Sequence, residues 1–198
     1  MSATENAEAG QPAGARAGTS SPVRRIFRWA ERLLACIGLC FVIYHAGFEV
    51  TVMTSGSMSP TLQGTSYENG DRILVEKITR RFRAPRRWEI YSFYDPDGIL
   101  VSKRIVGLPG ERVSIRNHQI CIKGEPIQRP KYLGFLKYYD YGNLQNHREV
   151  DCGKGYFVMG DDSIDSQDSR YIGPVMGETF RGRVWCILWP SSRAGFVR

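Results

Sequence analysis

The stretch "ILVSKRIVGLPGE", Ile99 to Glu111, sets a lysine inside an apolar run and then stops at Pro109-Gly110. Its valines and isoleucines favour an extended chain, and strand alternation sends Leu100, Ser102 and Arg104 to one face and Val101, Lys103 and Ile105 to the other. Lys103 therefore falls on the apolar side. One reading is an edge lysine whose stem is covered and whose amine reaches water. The other is a desolvated amine, whose pKa falls far enough for it to act as a general base near neutral pH. This segment alone leaves both open.

Outward from it the same rhythm repeats. "DRILVEKI", "WEIYSFY", "ERVSIR", "QICIKGEPI", "GYFVMG" and "GRVWCILW" are short, rich in β-branched and aromatic residues, and separated by Gly, Pro, Asn or Asp. No helical pattern of 10 to 15 residues lies between them, so the expectation is a mostly β domain of antiparallel sheets over residues 51–198. The stretch 129–150, "RPKYLGFLKYYDYGNLQNHREV", breaks the rhythm as a Tyr-rich excursion.

The first 22 residues are rich in Ala, Gly, Ser and Pro, which predicts a disordered tail. Residues 23–50 carry Arg24, Arg25, Arg28 and Arg32 and then sixteen uncharged residues, Leu33 to Phe48. A membrane-spanning helix needs about 20 apolar residues, so the run is short, but the arginine stems can snorkel toward headgroups. A single-pass anchor is expected, against a cleaved signal peptide or a core helix. With no Lys or Arg after the run until Arg72, the tail is expected in the cytoplasm and the β domain outside the cytoplasmic membrane.

The net charge of +7 favours phosphates, whether of lipid or of nucleic acid. The run "RRFRAPRR", Arg80 to Arg87, is a candidate for contact with anionic headgroups or a merely solvated loop; for an exported domain nucleic acid is not expected as a partner. Five cysteines without a C-x-x-C pair and three histidines give a metal site little to build on. Of the cysteines beyond the apolar run, Cys121, Cys152 and Cys186, the first two are the pair most suited to a disulfide; three free buried thiols are the simpler expectation. Trp185 and Trp189 belong either to the core or to a membrane-facing rim.

The second chemical signal is "TSGSMSPTL", Thr54 to Leu62, just after the apolar run. A serine hydroxyl needs a base within reach. His45 lies in the apolar run, His118 and His147 in irregular segments, so a Ser-His-Asp triad would have to recruit a loop histidine. Lys103 is the alternative. The acidic "GDDSIDSQDSR", Gly160 to Arg170, lacks the Gly and terminal Glu of a calcium loop.

Taken in order after one anchor, "SGSMSPTL", "GDRILVEK", "SKRIVGLPGE" and "GDDSIDSQDSR" resemble the successive boxes of type I (leader) signal peptidases, membrane-bound serine proteases with a Ser-Lys dyad. The resemblance covers the chain from about Phe48 to Trp189. It implies Ser57 as nucleophile, Lys103 as general base, and an oxyanion hole of the Ser55 hydroxyl and the Ser57 N–H. It further implies Ser166 as the hydroxyl that orients the lysine, with Asp168 and Arg170 as a structural ion pair beside it. Gly56 is expected to allow the tight turn, Met58 to anchor it in the core and Pro60 to keep it from becoming helical. Thr54, Asp162 and Ile164 depart from the family pattern, and Ser102 stands where an apolar pocket residue is common; with Met53 it is the expected substrate-pocket lining.

The resemblance implies a β fold of the signal-peptidase and LexA kind, no cofactor, no metal, a monomer, preproteins with signal peptides as substrates, and membrane phospholipid as a partner. A peptidase dedicated to one pilin or conjugation precursor shares these features. A LexA-type self-cleaving repressor would need a DNA-binding helix pair, and a tethered binding protein would keep the scaffold without turnover.

Overall fold

The computed structural model describes residues 22–197. The expected tail lies outside the described residues except for Pro22, which opens the first helix, α1 (Pro22–Gly47), where its missing N–H costs nothing. The chain divides into two units, one ending at Phe41 and one beginning at Val42. Along α1 the apolar side chains Leu33, Leu34, Ile37 and Leu39 are exposed, and the Arg32 guanidinium lies over the Trp29 ring. Among the described residues no helix is long and apolar enough to cross a membrane. α1 has 26 residues, about 39 Å at the helical rise. Its uncharged part, Leu33 to Gly47, covers only about 22 Å of that, against a hydrocarbon core of about 30 Å.

Strand β1 (Phe48–Val52) follows directly, so the expected boundary between residues 50 and 51 falls inside a strand. The helix stops at Gly47 because Ile78 packs there: a Cβ on Gly47 would lie 2.9 Å from Ile78 Cδ1, and Lys77 N–H donates to the Gly47 carbonyl at 2.7 Å.

The second unit is built of two antiparallel sheets. The larger has seven strands: β1, β2 (Arg72–Glu76), β10 (Phe180–Trp189), β3 (Ile90–Tyr94), β4 (Leu100–Gly107) and β9 (Phe157–Met159) in that order, with β11 (Gly195–Phe196) paired to β10. The smaller runs β7 (Glu125–Pro126), β6 (Gln119–Ile122), β5 (Arg112–Arg116) and β8 (Val150–Asp151). Every pairing is antiparallel, as the alternating segments predict. Two short helices complete the unit, α2 (Thr79–Phe82) and α3 (Ser169–Ile172).

Alternation holds in β4, but both of its faces are covered. Ile105 joins Tyr91, Phe93, Val158 and Phe180 in one apolar cluster, whereas Ser102 and Arg104 on the opposite face are also buried. The Ser102 hydroxyl is satisfied by that of Ser92, its cross-strand partner, at 2.8 Å. A second cluster of Met58, Leu62, Ile73, Val75 and Val184 lies under the segment that follows β1. A third combines Val113, Ile115 and Ile120 of the small sheet with Leu133, Leu136, Tyr138 and Leu144. The Tyr-rich excursion is therefore a core element, held by single apolar side chains and 3-10 turns at Lys131–Leu133 and Gly142–His147.

Register matters for the open edge of β4. β3 pairs with β4 from Leu100 to Arg104, but β9 on the other side pairs only with Arg104, Ile105 and Gly107. Among the described residues, no strand pairs with the β9 edge of Leu100 to Lys103.

Candidate active site

The segment after β1 turns at Gly56–Met58, a single 3-10 turn whose Met58 is wholly buried in the second cluster. That anchor fixes Ser57 at the turn's centre. Gly56 has no positive φ and open space where a Cβ would stand, so the expected conformational need for glycine there is corrected: the backbone is ordinary and the position is uncrowded. Pro60 follows an extended Ser59, which ends the turn after three residues.

Lys103 enters from β4. Its amine nitrogen lies 2.6 Å from Ser57 Oγ and 3.0 Å from Ser166 Oγ, and the residue is 3% exposed. The edge reading, with the amine in water, does not hold. Burial pushes the amine down from 10.5 to about 8; the Asp168 carboxylate works against this and the Arg170 guanidinium adds to it. The Ser55 hydroxyl is 3.1 Å from Ser57 Oγ. Ser55, Ser57, Lys103 and Ser166 thus form one chain of polar atoms at hydrogen-bond separations.

Ser166 reaches the amine because of what surrounds it. A Cβ on Gly160 would overlap both Ser166 Oγ and the Ser57 carbonyl, so only glycine permits this approach. Asp162 N–H donates to the Ser57 carbonyl at 3.1 Å, tying the acidic loop to the backbone of Ser57. Asp168 and Arg170 are both fully buried and paired in a fork, Nε to Oδ1 and Nη2 to Oδ2, each 2.8 Å. Asp168 also accepts the Gly160 and Arg170 N–H groups at 3.0 and 3.2 Å, which satisfies a carboxylate removed from water.

A cleft of about 150 Å³ opens beside the serines, lined by Thr51 to Ser55 and Ser57 on one side and by Asp95 and Ile99 to Ser102 on the other. Met53 and Ser102, the expected pocket residues, both line it. Its two walls are the segment leaving β1 and the unpaired half of β4.

Two features were not read from the sequence. Arg104, next to the lysine, is fully buried and paired bidentately with Asp161, Nε to Oδ1 at 2.7 Å and Nη2 to Oδ2 at 2.6 Å; a further N–H goes to the Trp88 carbonyl. An arginine in an apolar strand requires a carboxylate, and the Asp of "GDD" was the available one. The second is Ser163, buried at 3% between Tyr139 and Arg170.

The histidines are engaged elsewhere: Nδ1 of His118 faces the Tyr138 carbonyl at 3.2 Å and Nδ1 of His147 the Ile115 carbonyl at 2.9 Å. Cys121, Cys152 and Cys186 are free, so the disulfide is not formed. Among the described residues no His, Cys, Asp and Glu cluster could hold a metal ion. The arginine run is largely spent on structure: Arg83 pairs with Glu89 and Arg87 with Glu111, each at 2.5 Å, and Arg80 donates to the Phe180 carbonyl. Trp185 and Trp189 are both exposed, and Trp185 stacks on Phe48.

The family model "Signal peptidase, peptidase S26" matches residues 26–189. The chain belongs to this signal peptidase family. It is 34% identical over 164 residues to "Signal peptidase I V" of Bacillus subtilis (strain 168), covering 78% of this chain and 94% of that one. Against "Probable signal peptidase I-2" of Synechocystis sp. (strain ATCC 27184 / PCC 6803 / Kazusa) the figure is 33% over 156 residues, 75% of this chain and 66% of the relative. A crystal structure of a signal peptidase I from Enterococcus faecalis V583 superposes with a TM-score of 0.41 at 32% identity, over 52% of this chain and 97% of that one. Membership in a peptidase family sets aside the non-catalytic binding protein. The match lies with signal peptidases, so the self-cleaving repressor is set aside too.

Proposed function

We propose that this signal peptidase is a membrane-attached, monomeric serine endopeptidase that removes signal peptides from exported preproteins with Ser57 as nucleophile and Lys103 as base. The observation that carries the reading is the buried amine 2.6 Å from Ser57 Oγ. A neutral amine donates an N–H to Ser166 Oγ and directs its lone pair at the Ser57 hydroxyl. As Oγ attacks the scissile carbonyl, its proton passes to Lys103 Nζ. The oxyanion takes hydrogen bonds from the Ser55 hydroxyl and the Ser57 N–H, worth about 3 kcal/mol each. The ammonium then protonates the leaving amine, the C–N bond breaks, and an acyl ester remains on Ser57. Water, giving its proton to the neutral Lys103, hydrolyses the ester and restores both groups.

An extended substrate fits between the two strand edges of the cleft by β-augmentation, its main chain bonding to Leu100–Lys103 and to the segment after β1. About 150 Å³ is far below the ~300 to 1,000 Å³ of pockets for larger ligands, which favours small side chains one and three positions before the cut.

Attachment falls to the exposed apolar half of α1, with the arginines before it keeping the tail in the cytoplasm and the catalytic unit outside. Local thinning and arginine snorkelling offset its shortness, with phospholipid the only other partner the reading requires.

The test is incubation of the full chain in detergent with a preprotein, the cut mapped by mass spectrometry, beside Ser57→Ala and Lys103→Met. One cut after a small residue is expected from the parent and none from either variant. Normal cleavage by Lys103→Met refutes the assignment. Recovery of the protein in the soluble fraction after alkaline extraction refutes the attachment.

A further inference from the structure

The densest buried polar arrangement outside the dyad joins the Tyr-rich excursion to the loop carrying Ser166. The Ser163 hydroxyl accepts the Tyr139 N–H at 2.9 Å and an N–H of Arg170 Nη1 at 3.0 Å. The same Nη1 donates to the Ser163 carbonyl at 2.7 Å and to the Tyr139 carbonyl at 3.1 Å. Tyr139 is thereby gripped by both its backbone polar groups, one on the serine and one on the guanidinium. Three residues on, Gly142 has φ +59, and a Cβ there would lie 2.5 Å from the Arg170 carbonyl. The excursion is a firm support, since Tyr138 and Leu144 on either side are fully buried.

The loop it grips is anchored at its ends, by Asp161 on Arg104, the Asp162 N–H on the Ser57 carbonyl and Asp168 on the Gly160 N–H, but its crown is held only locally. Ile164 is 68% exposed, and the N–H groups of Ile164 and Asp165 bond only locally, to Asp162 Oδ1 at 3.1 and 3.3 Å. We propose that Ser163 is a positioning residue: it latches Tyr139–Gly142 onto Arg170 and so fixes the distance at which Ser166 meets Lys103. The inference rests on the Ser57–Lys103 reading and gives the excursion a role in it.

Released, the loop swings outward and water reaches the amine. The charged groups acting on Lys103 are Asp161, Asp165, Asp168 and Arg170, all within or beside this loop, so loosening it exchanges a fixed, dry setting for a solvated one. Solvation favours the ammonium, and cleavage then requires a higher pH.

The test is the pH dependence of preprotein cleavage by the full chain in detergent, from about pH 6 to about pH 10, well below each variant's Tm. In Ser163→Ala, kcat at pH 8 is expected to fall about tenfold with KM within about twofold, and the acid limb to move to higher pH. Ser163→Thr, which keeps the hydroxyl, recovers most of kcat. Gly142→Ala, which pushes the excursion off Arg170 from the other side, moves the acid limb the same way. A lowered Tm with parental kcat and acid limb in Ser163→Ala overturns the latch, as does loss of kcat in both the alanine and threonine variants with the limb unmoved. Cleavage persisting in Ser57→Ala sinks the dyad reading instead, whatever Ser163 does.

Discussion

Titrating Lys103 reads out chemistry and stability from one buried amine. With the amine held near 8, its neutral fraction is about 1% at pH 6, about 9% at pH 7 and about 91% at pH 9. The free-enzyme rate, kcat/KM, should rise about ninefold from pH 6 to 7, about tenfold from 7 to 9, and then level off. A lysine at its ordinary value would instead keep gaining about tenfold per unit up to pH 10. The same displacement opposes folding. Between pH 8 and 10.5 the unfolded chain holds the proton and the folded chain does not, so stability rises with pH across that window. Below pH 8 the cost is about 3 kcal/mol. Lys103→Met carries no such cost, so its stability relative to the parent should fall by about 2 to 3 kcal/mol between pH 7 and pH 10, whatever offset the methionine adds. Cleavage of a quenched peptide without groups titrating in this range gives the first curve, and denaturant unfolding of both proteins gives the second. A plateau reached below pH 6, a slope continuing through pH 10, or a stability difference independent of pH refutes a desolvated base at 103.

Ser55→Ala removes one donor to the oxyanion and should lower kcat about 10² to 10³-fold with little change in KM, since that bond is completed only in the transition state; a changed KM with intact kcat places Ser55 in binding instead. Asp161→Asn strands a buried guanidinium and should cost about 3 to 5 kcal/mol in urea unfolding, while Arg104→Met combined with Asp161→Leu recovers most of it. If the double variant is as unstable as the single one, the pair does more than neutralise itself.

Much of the sheet was legible because its strands announce themselves locally: "ILVSKRIVG" became Leu100–Gly107 and "GRVWCILW" the core of Phe180–Trp189. β8 and β11 were not, because two residues each give alternation nothing to act on. β1 was hidden for another reason: Phe48 continues the apolar run of α1, and composition does not mark where helix passes to strand. Gly47 at that point meets Ile78 and Lys77, which are 31 and 30 positions away. The pairing of the arginine run was hidden for a related reason, since the carboxylates of Glu89 and Glu111 that hold Arg83 and Arg87 are brought in by folding. In the site, the resemblance to the signal-peptidase boxes pointed to Ser57, Lys103, Ser166 and the Asp168–Arg170 pair, yet the close approach of Ser166 also depends on Gly160, which looks unremarkable as a letter.

The deeper regularity lies in β4. Because both faces of this strand are covered, adjacent residues Lys103 and Arg104 are both buried but meet opposite fates. Arg104 finds a carboxylate in Asp161 and stays charged, since a guanidinium so buried has no cheaper state. Lys103 finds two hydroxyls, which satisfy its hydrogen bonds without neutralising a charge, so burial loosens its proton instead. Asp161 and Ser166 come from the same stretch, Gly160 to Arg170, and the excursion is fastened to that stretch through Ser163. One loop therefore carries both contacts: what holds Asp161 against Arg104 also holds Ser166 against Lys103. A substitution that slackens the loop should weaken the fold and raise the pH at which the amine becomes a base, in the same direction and from the same cause.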